Sequence, residues 1–91
     1  MSTENVDQKI SAAQCKAARA LLGITQPELA ELASLGLSTV VDFERGRRRL
    51  TETAVRSLQF ALEHAGVRFI PENGGGSGVR LRKRQGSKAK E

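Results

Sequence analysis

QPELAELASLGLSTVVDFERG, residues 26–46, holds two short apolar-periodic runs divided by S-L-G, and it closes on a basic knot. Thr25 stands just before it and Glu28 three residues further on, which makes T-Q-P-E a capping box with Pro27 tolerated in the first turn. The box opens a helix predicted to run to about Ala33, with Leu29, Ala30 and Ala33 facing inward. After S-L-G, a second helix is predicted from roughly Leu37 to Arg45, with Val40 and Phe43 on its inner side and Gly46 as its stop. Arg45, Arg47, Arg48 and Arg49 then crowd into five positions. Charge alone leaves three readings of that knot open: a solvated loop, a dock for an acidic protein, or half of a nucleic-acid surface.

The flanking sequence supplies what these two helices rest on. Upstream, S-A-A-Q (11–14) is another capping box, and Ile10 with Cys15 has hydrophobic-staple spacing. Cys15, Ala18, Leu21 and Leu22 form one apolar face, and Gly23 ends that helix. Downstream, Thr51 caps a longer helix to about Ala65, whose Ala54, Val55, Leu58, Ala61, Leu62 and Ala65 keep helical spacing before Gly66. The period then changes. VRFI (67–70) and VRLRK (79–83) flank a run of turn residues, which predicts a β-hairpin with Arg80 and Arg82 on the face opposite Val79 and Leu81. A lone hairpin is marginal in water, so this one is expected to pair with another copy or to pack on the helices. The chain thus divides into a flexible arm (1–9), a helical domain (10–66), a hairpin expected to assist dimerisation (67–83) and a disordered basic tail (84–91).

Composition narrows the function classes. Ninety-one residues make one domain at most, and with three Phe and no Trp or Tyr the core must be mostly aliphatic. Cys15 is alone, so an intramolecular disulfide or a cysteine-rich zinc site is out of reach. No apolar run approaches the roughly 18 residues of a membrane span, and the polar N-terminus is unlike a signal peptide. A soluble cytoplasmic protein is expected. Of the formal charge of +5, residues 1–78 contribute nothing, with nine basic and nine acidic side chains, whereas residues 79–91 hold six basic residues against one acid. His64 lacks partners at metal spacing, the NGGGSG run lacks the Lys-Ser/Thr of a phosphate loop, and no nucleophile–His or paired-acid constellation exists. No enzyme, metal or cofactor is expected.

Two short helices joined by a tight turn, the second ending at a basic loop, make a helix-turn-helix pattern. Residues 26–46 resemble the lambda-repressor/Cro-like family of small bacterial regulators without a gap. The matching points are Gln26 opening the second helix, Ala30 at the close helix crossing, Val40 as the buried anchor of the third, and E-R-G at 44–46. The broader match runs from about Ser11 to Ala65. The resemblance implies a mainly α fold, a four-helix lambda-repressor-like helix-turn-helix domain followed by the C-terminal β-hairpin. Ser34 departs from it. The family usually has Gly there, and Ser costs roughly 1 kcal/mol or more at positive φ unless Gly36 takes up the bend.

The same resemblance assigns roles. Arg19 aligns with a family arginine that pairs with the acid of E-R-G, here Glu44, rather than with a phosphate. Gln26 is expected at a DNA phosphate, as are Arg45, Arg47 and Arg48 in the loop, while Arg49 reads as an ordinary surface charge. The third helix would enter the major groove with Leu37, Ser38, Thr39, Val41 and Asp42. That face carries no Arg, Gln or Asn for bidentate readout, so thymine methyls, hydroxyl contacts and an Asp42 bond from cytosine N4 are what it offers. Arg80, Arg82, Lys83 and Arg84 are candidate accessory DNA contacts. The function expected is a dimeric, sequence-specific repressor binding a palindromic site in double-stranded DNA. The alternative is an antitoxin-type regulator that also binds a protein partner through its C-terminal part.

Overall fold

Every helix begins at a side-chain cap or a break that the sequence announces. The computed structural model describes residues 9–82, so what was expected of residues 1–8, of Lys83 and Arg84, and of the rest of the tail lies outside them. Helix α1 spans Ala12–Leu22, α2 Gln26–Ala33, α3 Leu37–Glu44 and α4 Glu52–Ala65; strands β1 (Val67–Ile70) and β2 (Gly78–Leu81) follow. The Ser11 hydroxyl accepts from the Gln14 amide at 3.1 Å while Gln14 Oε1 accepts from the Ser11 N–H at 2.9 Å. Thr25 and Glu28 exchange the same pair of bonds, and Thr51 accepts from the Ala54 N–H. At the far end of α1, Gly23 is left-handed at φ 72°, and the Ile24 N–H returns to the Arg19 carbonyl at 3.1 Å.

The turn between α2 and α3 resolves which residue bends. Ser34 takes the left-handed conformation itself, at φ 58° and ψ 43°, and Gly36 is extended at φ −72°. Its geometry is forced by hydrogen bonding: the Ser34 N–H meets the Glu31 carbonyl at 3.2 Å, and the Leu35 N–H meets that of Ala30 at 2.9 Å. Gly36 therefore gives no relief, and a Cβ sits in a backbone region that costs about 1–2 kcal/mol. Ser34→Gly is expected to stabilise the domain by about 0.5–1 kcal/mol, less than that full cost because glycine also frees the unfolded chain. A thermal melt checks it, with a midpoint a few degrees above wild type; an unchanged or lower midpoint would show that the Ser34 conformation carries no strain.

The core lies where the four helices meet. Leu29, Val40, Leu58 and Leu62 are fully buried, with Ala18 and Ala30 letting the backbones approach. Two positions on the apolar faces fall outside it: Leu21 is 43% exposed and Ala65 is exposed as well. Both sit at the solvent-side margin of a stripe that periodicity alone draws too wide.

The hairpin packs on α1 and α4. β1 and β2 are antiparallel with Val67 opposite Leu81, Arg68 opposite Arg80, and Phe69 opposite Val79. Val67 is fully buried, and Phe69, Val79 and Leu81 join the core from the same face. Strand β2 begins at Gly78 and stops at Leu81, short of the run to residue 83 expected from alternation. Gln14 fastens the sheet to α1. Its Nε2 donates to the Gly78 carbonyl at 2.9 Å and reaches the Ile70 carbonyl at 3.4 Å, so one buried amide caps a helix and closes the mouth of the hairpin.

Candidate nucleic-acid interface

The outward side of α3 is set by what its inward side must do. Val40, Phe43 and Glu44 are buried, and with 100° between successive residues the opposite face falls to Ser38, Val41, Asp42 and Arg45. Leu37, at the first position, is 46% exposed, Ser38 is exposed, and Thr39, Val41 and Asp42 are half-buried. The five residues expected to meet base edges therefore lie on the accessible side of one helix. None belongs to the core.

Glu44 holds that helix in place. Its Oε2 accepts from Arg19 Nε at 2.8 Å and from the Cys15 thiol at 3.1 Å, and its Oε1 accepts from Arg19 Nη2 at 2.8 Å and Gln26 Nε2 at 2.9 Å. Arg19 Nη1 also donates to the Ile24 carbonyl at 3.2 Å. A single carboxylate thus joins α1, the first residue of α2 and the last residue of α3, and fixes the angle at which α3 leaves the body. Burial by itself pushes the Glu44 carboxyl up, but the hydrogen bonds from Arg19, Gln26 and Cys15 outweigh it and hold it below the ordinary glutamate range. Burial, reinforced by the neighbouring carboxylate, pushes the Cys15 thiol far above the usual cysteine range. Such a thiol stays protonated and serves as a donor, not a nucleophile.

Beyond Glu44 the chain turns at Gly46, at φ 75°, where a Cβ would meet empty space but a strained backbone. The Gly46 N–H closes on the Phe43 carbonyl and the Arg47 N–H on that of Asp42, which folds the loop back along α3. All four loop arginines are exposed. Arg47 Nη1 lies 3.9 Å from Asp42 Oδ1, and Arg48 Nη1 lies 3.5 Å from the Thr39 hydroxyl. These are loose, solvated contacts, which contribute little to stability. Arg45 and Arg49 make no side-chain bond among the described residues.

The structure brings together Arg19, Glu44 and Gln26, and it brings Arg47 and Arg48 alongside Asp42 and Thr39. Arg80 and Arg82 lie instead on the hairpin, which packs on α1 and α4. Gln26 was expected at a DNA phosphate; one of the two hydrogens of its amide is spent on Glu44, which leaves a second donor on the same nitrogen. The thiol of Cys15 and the second duty of Gln14 were not foreseen, since nothing in local spacing announces a partner 29 or 64 residues away.

A helix-turn-helix family model matches residues 16–59, from the second turn of α1 through the first half of α4. No curated protein was found to match the chain.

Proposed function

We propose, from the match of residues 16–59 to the lambda-repressor/Cro-like helix-turn-helix family of DNA-binding regulators, a dimeric repressor that reads a palindromic site with α3 in the major groove. The observation that carries it is the aimed helix: α3 is clamped from behind by Glu44, exposes Leu37, Ser38, Thr39, Val41 and Asp42, and runs straight into the arginine loop. Leu37 and Val41 suit thymine methyls, Ser38 and Thr39 offer hydroxyl donors and acceptors, and Asp42 accepts from cytosine N4. Gln26, Arg45, Arg47 and Arg48 take the phosphates on either side and set the register.

So small a reading face supports dimerisation, because one α3 touches few base pairs. The hairpin offers free strand edges on which a second copy can add, which makes it the natural place for the two-fold axis. Occlusion of a promoter needs nothing further. The test is selection of bound sequences from random duplexes, followed by footprinting and sedimentation of the 9.8 kDa chain. A dyad-symmetric site with half-sites about 34 Å apart is expected, with a dimer in solution. Leu37→Ala is expected to change the selected sequence at one or two positions per half-site. Selection that enriches no sequence, or a preference untouched by Leu37→Ala, would sink the proposed docking.

A further inference from the structure

The outer face of the hairpin carries three arginines that none of the contacts above employs. Arg68 stands directly opposite Arg80. The Arg82 N–H bonds the Gly66 carbonyl at 2.8 Å, which continues the ladder and puts Arg82 on the same side as Arg80. All three are exposed, and none forms an ion pair among the described residues. Like charges directly opposed across an antiparallel pair weaken it. Here the repulsion falls on a two-stranded sheet whose inner face is held by the helices, so it is tolerated but not relieved. Neutralisation from outside would relieve it.

The surroundings point to phosphate. Arg68 and Arg82 line a hollow of about 320 Å³ at the C-terminal end of α4, together with His64, Glu63 and Val67. Arg80 and Arg82 lie two residues apart on an extended strand, roughly 7 Å, with Arg68 about 5 Å across from Arg80, a row of forks suited to a repeating anion. A protein interface would want an aromatic or large apolar anchor at its centre. The hairpin turns its own inward, for Val67, Phe69, Val79 and Leu81 all pack on the helices, and the exposed Phe60 that stacks on His64 belongs to α4 and not to the arginine row. In sequence, residues 83–91 hold Lys83, Arg84, Lys88 and Lys90 against a single acid.

We propose that Arg68, Arg80 and Arg82 form a second duplex-phosphate surface, which lets a chain seated on one DNA segment through α2 and α3 hold another. The hairpin packs on α1 and α4 and the reading helix is a separate element, so on this proposal the two surfaces address different segments. This rests on the DNA-binding function of the helix-turn-helix unit, and the experiment separates the two. A random-sequence duplex is immobilised, the full chain is added, and capture of a labelled second random-sequence duplex is measured beside a gel shift on one duplex. The wild type should capture the second duplex. The R68Q/R80Q/R82Q chain should lose capture at least about ten-fold, with the salt slope of capture flattened by about 3 per protomer engaged, while keeping most of its single-duplex affinity. Its melting midpoint should equal or exceed that of wild type, because a repulsion has been removed; a lower midpoint would contradict that account of the face. Capture undiminished in the variant overturns the proposal, as does a wild type that binds one duplex and never a second. A wild type that binds no duplex overturns this proposal and the DNA-binding function together.

Discussion

Arg19→Ala should cost the domain about 3–5 kcal/mol, the range for breaking a buried pair by removing one partner. The asymmetry of the pair sets the size. The Glu44 side chain is 2% exposed and that of Arg19 is 20% exposed, so it is the more deeply buried partner whose charge is left uncompensated. Gln26 and Cys15 still donate to it, but neither carries charge. For a domain of this size each 1 kcal/mol moves the midpoint by about 4–8 °C, so a loss above roughly 12 °C is expected in a melt followed by helical circular dichroism. Arg19→Lys should recover only part of it, since an ammonium cannot give the paired Nε and Nη2 bonds to both carboxylate oxygens.

Acid provides an independent check on the same group. Because folding lowers the Glu44 pKa, the stability it contributes is fully present above the unfolded value of about 4.5 and is lost as pH falls through the lower folded value. In Arg19→Ala the main cause of that lowering is gone, and burial then favours the protonated form. The gap between wild type and mutant should therefore shrink below about pH 4.5. A gap of the same size at neutral and acid pH would mean that Arg19 stabilises through packing alone.

The sequence carries the fold of this protein most plainly where the interactions are local. Ser11 with Gln14 and Thr25 with Glu28 are each three residues apart, and the hydrogen bonds the spacing predicts are the ones that form. The inner residues of α2 and α3 follow from the 3.6-residue period for the same reason. Local rules lose their hold at Ser34, where the left-handed bend is imposed by two backbone bonds to α2 although a glycine stands two residues away. They say nothing of Gln14 reaching Gly78, because that bond exists only once the hairpin has docked on α1. The partnership of Arg19 and Glu44 is a different case: resemblance supplied it, and spacing alone could not, for 25 residues and a whole helix separate them. At the interface, the identity of the outward residues on α3 is legible from the wheel. That Asp42 and Thr39 lean on the loop arginines is not, since it depends on how Gly46 folds the chain back.

That loop carries the second large effect. Removing its charges in the R45A/R47A/R48A chain should abolish most of the salt dependence of binding and weaken every duplex alike. Each phosphate contact contributes about 0.9 to the log–log salt slope, so three per protomer give a dimer a slope near −5, and losing all of them leaves little more than the contribution of Gln26 and the α2 N-terminus. Arg47→Ala alone should flatten the slope by roughly 2 if two protomers bind together and by roughly 1 if one binds, which makes a single titration series report on stoichiometry as well as contact. The protein itself should be untouched. Arg45, Arg47 and Arg48 are exposed, the Arg47–Asp42 approach of 3.9 Å is solvated, and pairs of that kind contribute at most about 1 kcal/mol. Freed of Arg47, the Asp42 carboxylate exerts an unscreened repulsion on nearby phosphates, so the loss in affinity should exceed that of one contact. If instead the triple variant binds with the wild-type slope, the arginines are a solvated loop and the phosphates are met elsewhere. If it changes which sequence is preferred without weakening the rest, they read bases, and the division between α3 and its loop is drawn in the wrong place.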